Sequence, residues 1–326
     1  MRHLIKLSIL IAFLIFITAC SYEKEKNKEV EDNDNISPQT TYQFSHNGQE
    51  FEIIPFYEEV FEYTGLMKEN SELDNEETYT EYVLKPFKDE SSLNYIKIGD
   101  PLSPTTDVEQ LEKNTKELFQ NQEKINKWIE EALSKSAEQL SGEDTSIYIF
   151  PVNPEDWFTI DNLEGVGGFA YFGNNILLNI HPSVSEETLK YTVAHEYHHT
   201  VNFLYNGEQS IYSLLDSILT EGKADSFASI IYPEKNASWI ETLSDEEEKY
   251  VLEELAANYE STDRNIYNNF TYGNPAKDIP RWSDYKIGYQ ITESFIQNNP
   301  DTKILDWTKM DAKELVKASE YSDLIK

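Results

Sequence analysis

Only one cysteine, Cys20, occurs in the 326 residues. That excludes an intrachain disulfide, a cluster of thiolate metal ligands and a disulfide-stapled fold. Basic residues are also scarce, 27 against 60 acidic ones, for a formal charge of −33. Binding to nucleic acid needs clustered lysine and arginine to neutralise phosphates, so that class of partner is excluded. The acid excess reads first as a well-hydrated surface and, second, as a preference for cationic substrates. Long apolar runs are missing except at residues 7–17, and that run is short for spanning a bilayer. Histidine is rare as well, with six residues in the chain. What is present suffices for a core: 39% of residues are hydrophobic and 13% aromatic. The length allows one large domain or two modest ones.

The chain begins "MRHLIKLSILIAFLIFITAC". Arg2 and Lys6 precede the apolar run and small residues close it, the layout of a secretory leader. The ending "ITAC" resembles the bacterial lipobox, in which cleavage before the cysteine leaves a lipidated thiol. Residues 1–19 are therefore expected to be a lipoprotein signal peptide. Cys20 becomes the attachment point, and lipid holds the protein on the extracytoplasmic face of the cell membrane. Residues 20–41 are polar, acidic and aperiodic, which predicts a flexible tether.

Folding is expected to begin near Tyr42, with a mixed segment over 42–104. There Asn47-Gly48 between alternating apolar positions predicts a hairpin, and "FYEEVFEYTGLM" a short helix. "YVLKPF" reads as a strand. Residues 105–140 carry apolar positions at helical spacing, closed by Ser141-Gly142. "SIYIFPV", "GGFAYFG" and "NILLNI" read as strands, the last two joined by the turn sequence Gly173-Asn174-Asn175. Helices follow over 185–205, roughly 211–231, 245–259 and from about 283. Strands followed by helices predict an α+β fold, with a small antiparallel or mixed sheet ahead of a helical C-terminal part.

Half of the histidines fall in "HEYHH", residues 195–199. Ser185 supplies an N-cap for this helix, Glu186 and Glu187 favour its positive end, and Asn206-Gly207 stops it. Four residues apart, His195 and His199 share a face and can both reach one ion; nitrogen donors suit Zn²⁺. Glu196 points aside, placed to take a proton from a metal-bound water, as in H-E-x-x-H hydrolases. His198 reads as a bystander, and His46 and His181 as surface or turn residues.

A catalytic zinc keeps three protein ligands and one open position. The metzincin extension would want glycine at 202 and histidine at 205, where Asn202 and Tyr205 stand. A carboxylate is left. An antiparallel return helix comes level with the histidines ten to fifteen residues beyond Gly207, at roughly 1.5 Å of rise per residue. There Leu214, Ile218, Glu221 and Asp225 form one stripe, so two acids lie on the buried face. Glu221 is assigned as the third ligand, and Asp225 as acceptor from the second ring nitrogen of a ligating histidine. The exchanged assignment stays open. Asp216 lies off the stripe.

"HEYHH" followed by "LTEGKAD" resembles the gluzincin metallopeptidases. "TVAHEYHHTVNF", "TEGKADSFA" and "YKIGYQITESF" are similar to a family of bacterial predicted zinc-dependent proteases, often lipid-anchored, over about residues 80–326. The resemblance implies a zincin-like metallopeptidase domain at 105–326, with Glu221 as zinc ligand and Asp225 behind it. Peptide hydrolysis also needs an oxyanion donor. Tyr285, Tyr289 and Arg281 are the candidates, Gly288 allowing the helix of both tyrosines to pack closely. "GGFAYFGNNILLNI" offers an edge strand for an extended substrate. The expectation is a membrane-anchored zinc peptidase acting on peptides or proteins outside the cell. The alternatives are a non-catalytic envelope lipoprotein with structural zinc, in a binding or chaperone-like role, and a metal-dependent hydrolase of other substrates.

Overall fold

Asn47 and Gly48 both take positive φ, 53° and 86°, the requirement of a tight hairpin turn whose twist matches its strands. They join β1 (Tyr42–His46) to β2 (Gln49–Pro55) in antiparallel register, Phe44 opposite Phe51. The computed structural model describes residues 41–99, 101–207 and 212–325. The expected leader, Cys20 and nearly all of the tether lie outside those residues.

Helices α1 (Tyr57–Glu69) and α2 (Asn75–Tyr79) follow, then a single wide π-turn over Thr80–Leu84 that runs into α3 (Lys85–Ser91). The strand expected at "YVLKPF" is therefore helical. Val83, Leu84 and Phe87 are all buried, spaced as one helical face. Pro86 lies near the start of α3, directly after the π-turn. The helical stretch expected over 105–140 is divided at Asn121 into α4 (Val108–Gln120) and α5 (Gln122–Gln139). Asn121 serves both ends: its side chain donates to the Glu117 carbonyl, and its own carbonyl accepts from Lys124 and Ile125.

Strands β3 (Thr145–Pro151), β4 (Val166–Tyr171) and β5 (Asn175–Ile180) complete one five-stranded mixed sheet in the order β1-β2-β3-β5-β4. β3 runs parallel to β2 and β5, whereas β4 is antiparallel to β5. The 42–104 and 105–326 stretches thus contribute to the same sheet. Its central strands are covered on both faces, so "NILLNI" is buried at every position rather than alternating. Ile147, Ile149, Ile176 and Leu178 face one core, with α5 and the C-terminal helices. Tyr148, Phe150 and Leu177 face another, with α1 and α3.

The C-terminal helices are α6 (Glu186–Asn206), α7 (Leu214–Ile231), α8 (Asp245–Asn258), α9 (Arg264–Tyr272), α10 (Ser283–Asn298), α11 (Ile304–Lys309) and α12 (Ala312–Lys317). The architecture is α+β, as the element order predicts. Helix α9 was not anticipated, although Asp263 caps it and Gly273, at φ 82°, ends it. Among the described residues no helix is long and apolar enough to cross a membrane.

Candidate metal centre

Helix α6 lies between the sheet and α7, buried from Thr188 through Asn202. Its ends follow the local signals: the Ser185 hydroxyl accepts from the Thr188 amide, and Gly207 takes φ 70° past the last turn. Ser213 and Asp216 form a reciprocal capping box at the start of α7, so Asp216 is a capping residue beside solvent. Helices α7 and α10 approach until their backbones touch. A Cβ on Gly222 would lie 2.1 Å from the carbonyl carbon of Gly288, and one on Gly288 would lie 2.2 Å from the Ile218 oxygen. Only glycine fits either position.

These packings bring His195, His199 and Glu221 together. The two Nε2 atoms are 2.9 Å apart. Glu221 Oε2 lies 3.3 Å from the His195 Nε2 and 3.5 Å from that of His199. Two imidazole nitrogens and one carboxylate oxygen facing a common point are a donor set that suits zinc. Burial raises the Glu221 carboxyl, but the charge of His199 and hydrogen bonds from both histidines outweigh it and hold the carboxyl well below its usual range.

Asp225, one turn beyond Glu221, is fully buried. Its Oδ1 is 3.2 Å from His195 Nδ1 and also accepts from the Tyr191 hydroxyl at 3.0 Å and the Trp239 indole at 3.2 Å. With Nδ1–H given to Asp225, Nε2 is the nitrogen turned to the centre, and its lone pair is free for a metal once that nitrogen gives up its proton. Burial would lower the His195 pKa, yet Asp225 reverses the effect and raises it well above the ordinary value.

Glu196 turns to the other side, against β4. A Cβ on Gly168 would lie 2.5 Å from its Cγ and 2.6 Å from Oε1, so the strand passes the carboxylate only because that position is glycine. Burial, the largest influence, pushes the Glu196 pKa up; the two histidines and the Ala170 backbone N–H partly oppose it. Among the described residues β4 pairs only with β5, at an edge of the sheet. A cavity of about 360 Å³ opens here, lined by β4, the two histidines, Glu196, Glu221, Tyr267 and Tyr285. A smaller one of about 60 Å³ lies behind His195 and Glu196, against Tyr191, Trp239 and Tyr285.

Tyr285 lines both cavities, its ring 6.3 Å from that of His195. Burial and then the Glu221 charge raise its pKa, so the phenol is a neutral donor. Tyr289 lines neither; its hydroxyl pairs with Ser229. Arg281 is also turned away, donating to Asn162 at 2.7 Å. His198 points into the core, where Nε2 meets the Thr308 hydroxyl at 3.2 Å and the ring stacks on Trp307. His46 reaches Glu138 on the surface, and His181 pairs with Ser183 in a turn.

Sequence reasoning missed Tyr267. It faces the cavity from α9, backed by Asp284, whose buried carboxyl is raised to about 7 chiefly by desolvation. The available signal was the Asp263 cap, with Ile266 and Phe270 one turn apart.

The fold and site thus define a protein with a potential three-residue metal centre in a cleft. The chain belongs to the family described as "Predicted Zn-dependent protease (DUF2268)", which it matches over residues 125–317, more than half its length. It is also 26% identical over 164 residues to the "Uncharacterized protein YjfC" of Bacillus subtilis (strain 168). That similarity covers 47% of this chain and 54% of the relative, about half of each.

Proposed function

We propose that this protein is a zinc-dependent peptidase of the gluzincin type, with a zincin-like fold. The observation that carries the reading is the convergence of His195 Nε2, His199 Nε2 and Glu221 Oε2 at one end of a substrate-sized cleft. Zinc held there would acidify a bound water and polarise a carbonyl. Glu196, beside the ligands but not among them, takes the proton of the attacking water and returns it to the leaving amine. Asp225 keeps the His195 ring in the required tautomer and orientation. Tyr285 donates its phenolic hydrogen to the developing oxyanion. Tyr289 lacks access to the cleft and has no such part. The free edge of β4 pairs with an extended peptide, and Gly168 lets that peptide lie close to Glu196.

The experiment combines zinc stoichiometry with cleavage of casein and a peptide library. Glu196→Gln is expected to retain about one zinc while kcat falls on the order of 10²- to 10⁴-fold. If the wild-type protein binds zinc and cuts nothing, the non-catalytic envelope role replaces this reading. Attachment to the outer face of the cell membrane through lipid on Cys20 belongs to the same proposal, on the strength of the "ITAC" sequence. Cys20→Ser is expected to move the protein from the membrane fraction to the soluble one; continued sedimentation with membranes would refute the anchor.

A further inference from the structure

The chain as a whole is strongly anionic, but its cleft holds one uncompensated cation besides any metal. Among the described residues Arg264, in the first turn of α9, is the only lysine or arginine lining the cavity that contains His195, Glu196 and Glu221. It is exposed as well as cavity-lining, so it stands where the cleft opens to solvent. Its guanidinium lies 4.7 Å over the ring of Tyr267, one turn along the same helix, which fixes its direction without occupying its N–H donors.

Acids are abundant in the chain, and several of its cations are paired with them. Ion pairs engage Lys68, Lys190, Lys235, Lys277 and Lys313. Among the described residues, no ion pair involves Arg264. The adjacent Asp263 is occupied in capping α9, where Oδ1 accepts from the amide and side chain of Asn265. Glu221, across the cavity, turns its carboxylate to the imidazoles. A guanidinium left with free donors at the mouth of a cleft matches a carboxylate in shape and charge, two N–H groups to two oxygens.

We infer that Arg264 binds a carboxylate of the substrate, so the protein selects peptides carrying a free carboxylate close to the cleaved bond. A residue of extended chain spans roughly 3.3–3.6 Å, so within this cavity the group belongs to a residue only a few positions from the scissile peptide. That carboxylate is either the substrate C-terminus or an acidic side chain. The inference opposes what net charge alone suggests, a preference for cations, because the guanidinium lining the cleft has no carboxylate partner. It rests on the hydrolase reading of the cleft.

The test uses fluorescein-labelled hexapeptide mixtures in three forms: C-terminal acids, C-terminal amides, and amides with one internal glutamate. Cleavage is followed with the zinc-loaded wild-type protein and Arg264→Gln. Equilibrium binding is followed by anisotropy on zinc-loaded Glu196→Gln, alone and combined with Arg264→Gln. The expected result is about tenfold tighter binding, and a correspondingly lower KM, for one carboxylate form over plain amides. Arg264→Gln should erase that ratio, and Arg264→Lys restore part of it. Preference for the acids identifies the C-terminus; preference for the internal glutamate identifies a side chain. Equal binding of all three forms overturns the inference even if peptides are cut. If nothing is cut but the Arg264-dependent ratio persists in binding, carboxylate recognition stands and the peptidase reading falls.

Discussion

Both faces of the sheet bury an apolar core, but only one of them also buries ionisable groups. On one, α1 and α3 pack aromatic and aliphatic side chains onto Tyr148, Phe150 and Leu177. Phe87 there meets Phe56, Tyr148 and Phe150 edge-to-face at 5.3–5.7 Å. On the other, the buried lysines, histidines and carboxylates of the described residues all belong to α6, α7 and α10. Ionisable groups in a core are tolerated when each has a partner. Here Asp225 accepts three hydrogen bonds, and Lys223 donates to the carbonyls of Thr308 and Met310 while burial lowers its pKa to about 8. The second face holds the larger apolar core, and the ionisable groups of α6, α7 and α10 are set within it.

Four substitutions probe that division. The largest effect is expected from His195→Ala or His199→Ala: zinc measured by atomic emission should fall from about one per chain to none, because two remaining ligands do not hold a catalytic ion. Retention of zinc in both variants would end the assignment. Phe87→Ala is next, lowering unfolding free energy in urea by about 3–5 kcal/mol while zinc stoichiometry in the folded fraction stays unchanged. Loss of zinc from the folded variant would show that the faces are coupled. Asp225→Asn should have the smallest effect, weakening zinc about 10- to 100-fold in a chelator competition. An unchanged affinity would mean that a neutral amide oxygen holds the His195 ring as well as the Asp225 carboxylate does.

What could be read in advance follows the range of the interactions. His195 and His199 needed only helical periodicity, and Glu221 and Asp225 only a return helix after Gly207. The local turn chemistry of Asn47-Gly48 and Gly173-Asn174 likewise located two hairpins. Gly168 and Tyr267 were not legible, because their roles come from β4 and α9 meeting α6 and α7 across long stretches of chain. The same limit applied to Tyr285 and Tyr289. Both sit on the helix carrying Gly288, but only tertiary packing decides that one faces the cleft and the other Ser229. "YVLKPF" misled for a local reason: its apolar residues fit either period, and a proline in the opening turn of a helix looks like a breaker.

The meeting of Gly222 and Gly288 has a mechanical consequence. Glu221 is the immediate neighbour of one glycine, and Tyr285 stands one turn before the other. Where two backbones interlock without intervening side chains, neither helix can slide or roll without dragging its mate. The carboxylate and the phenol therefore form a single rigid jaw. Any widening of the gap for a bulkier guest falls to the opposing lip formed by the sheet's margin.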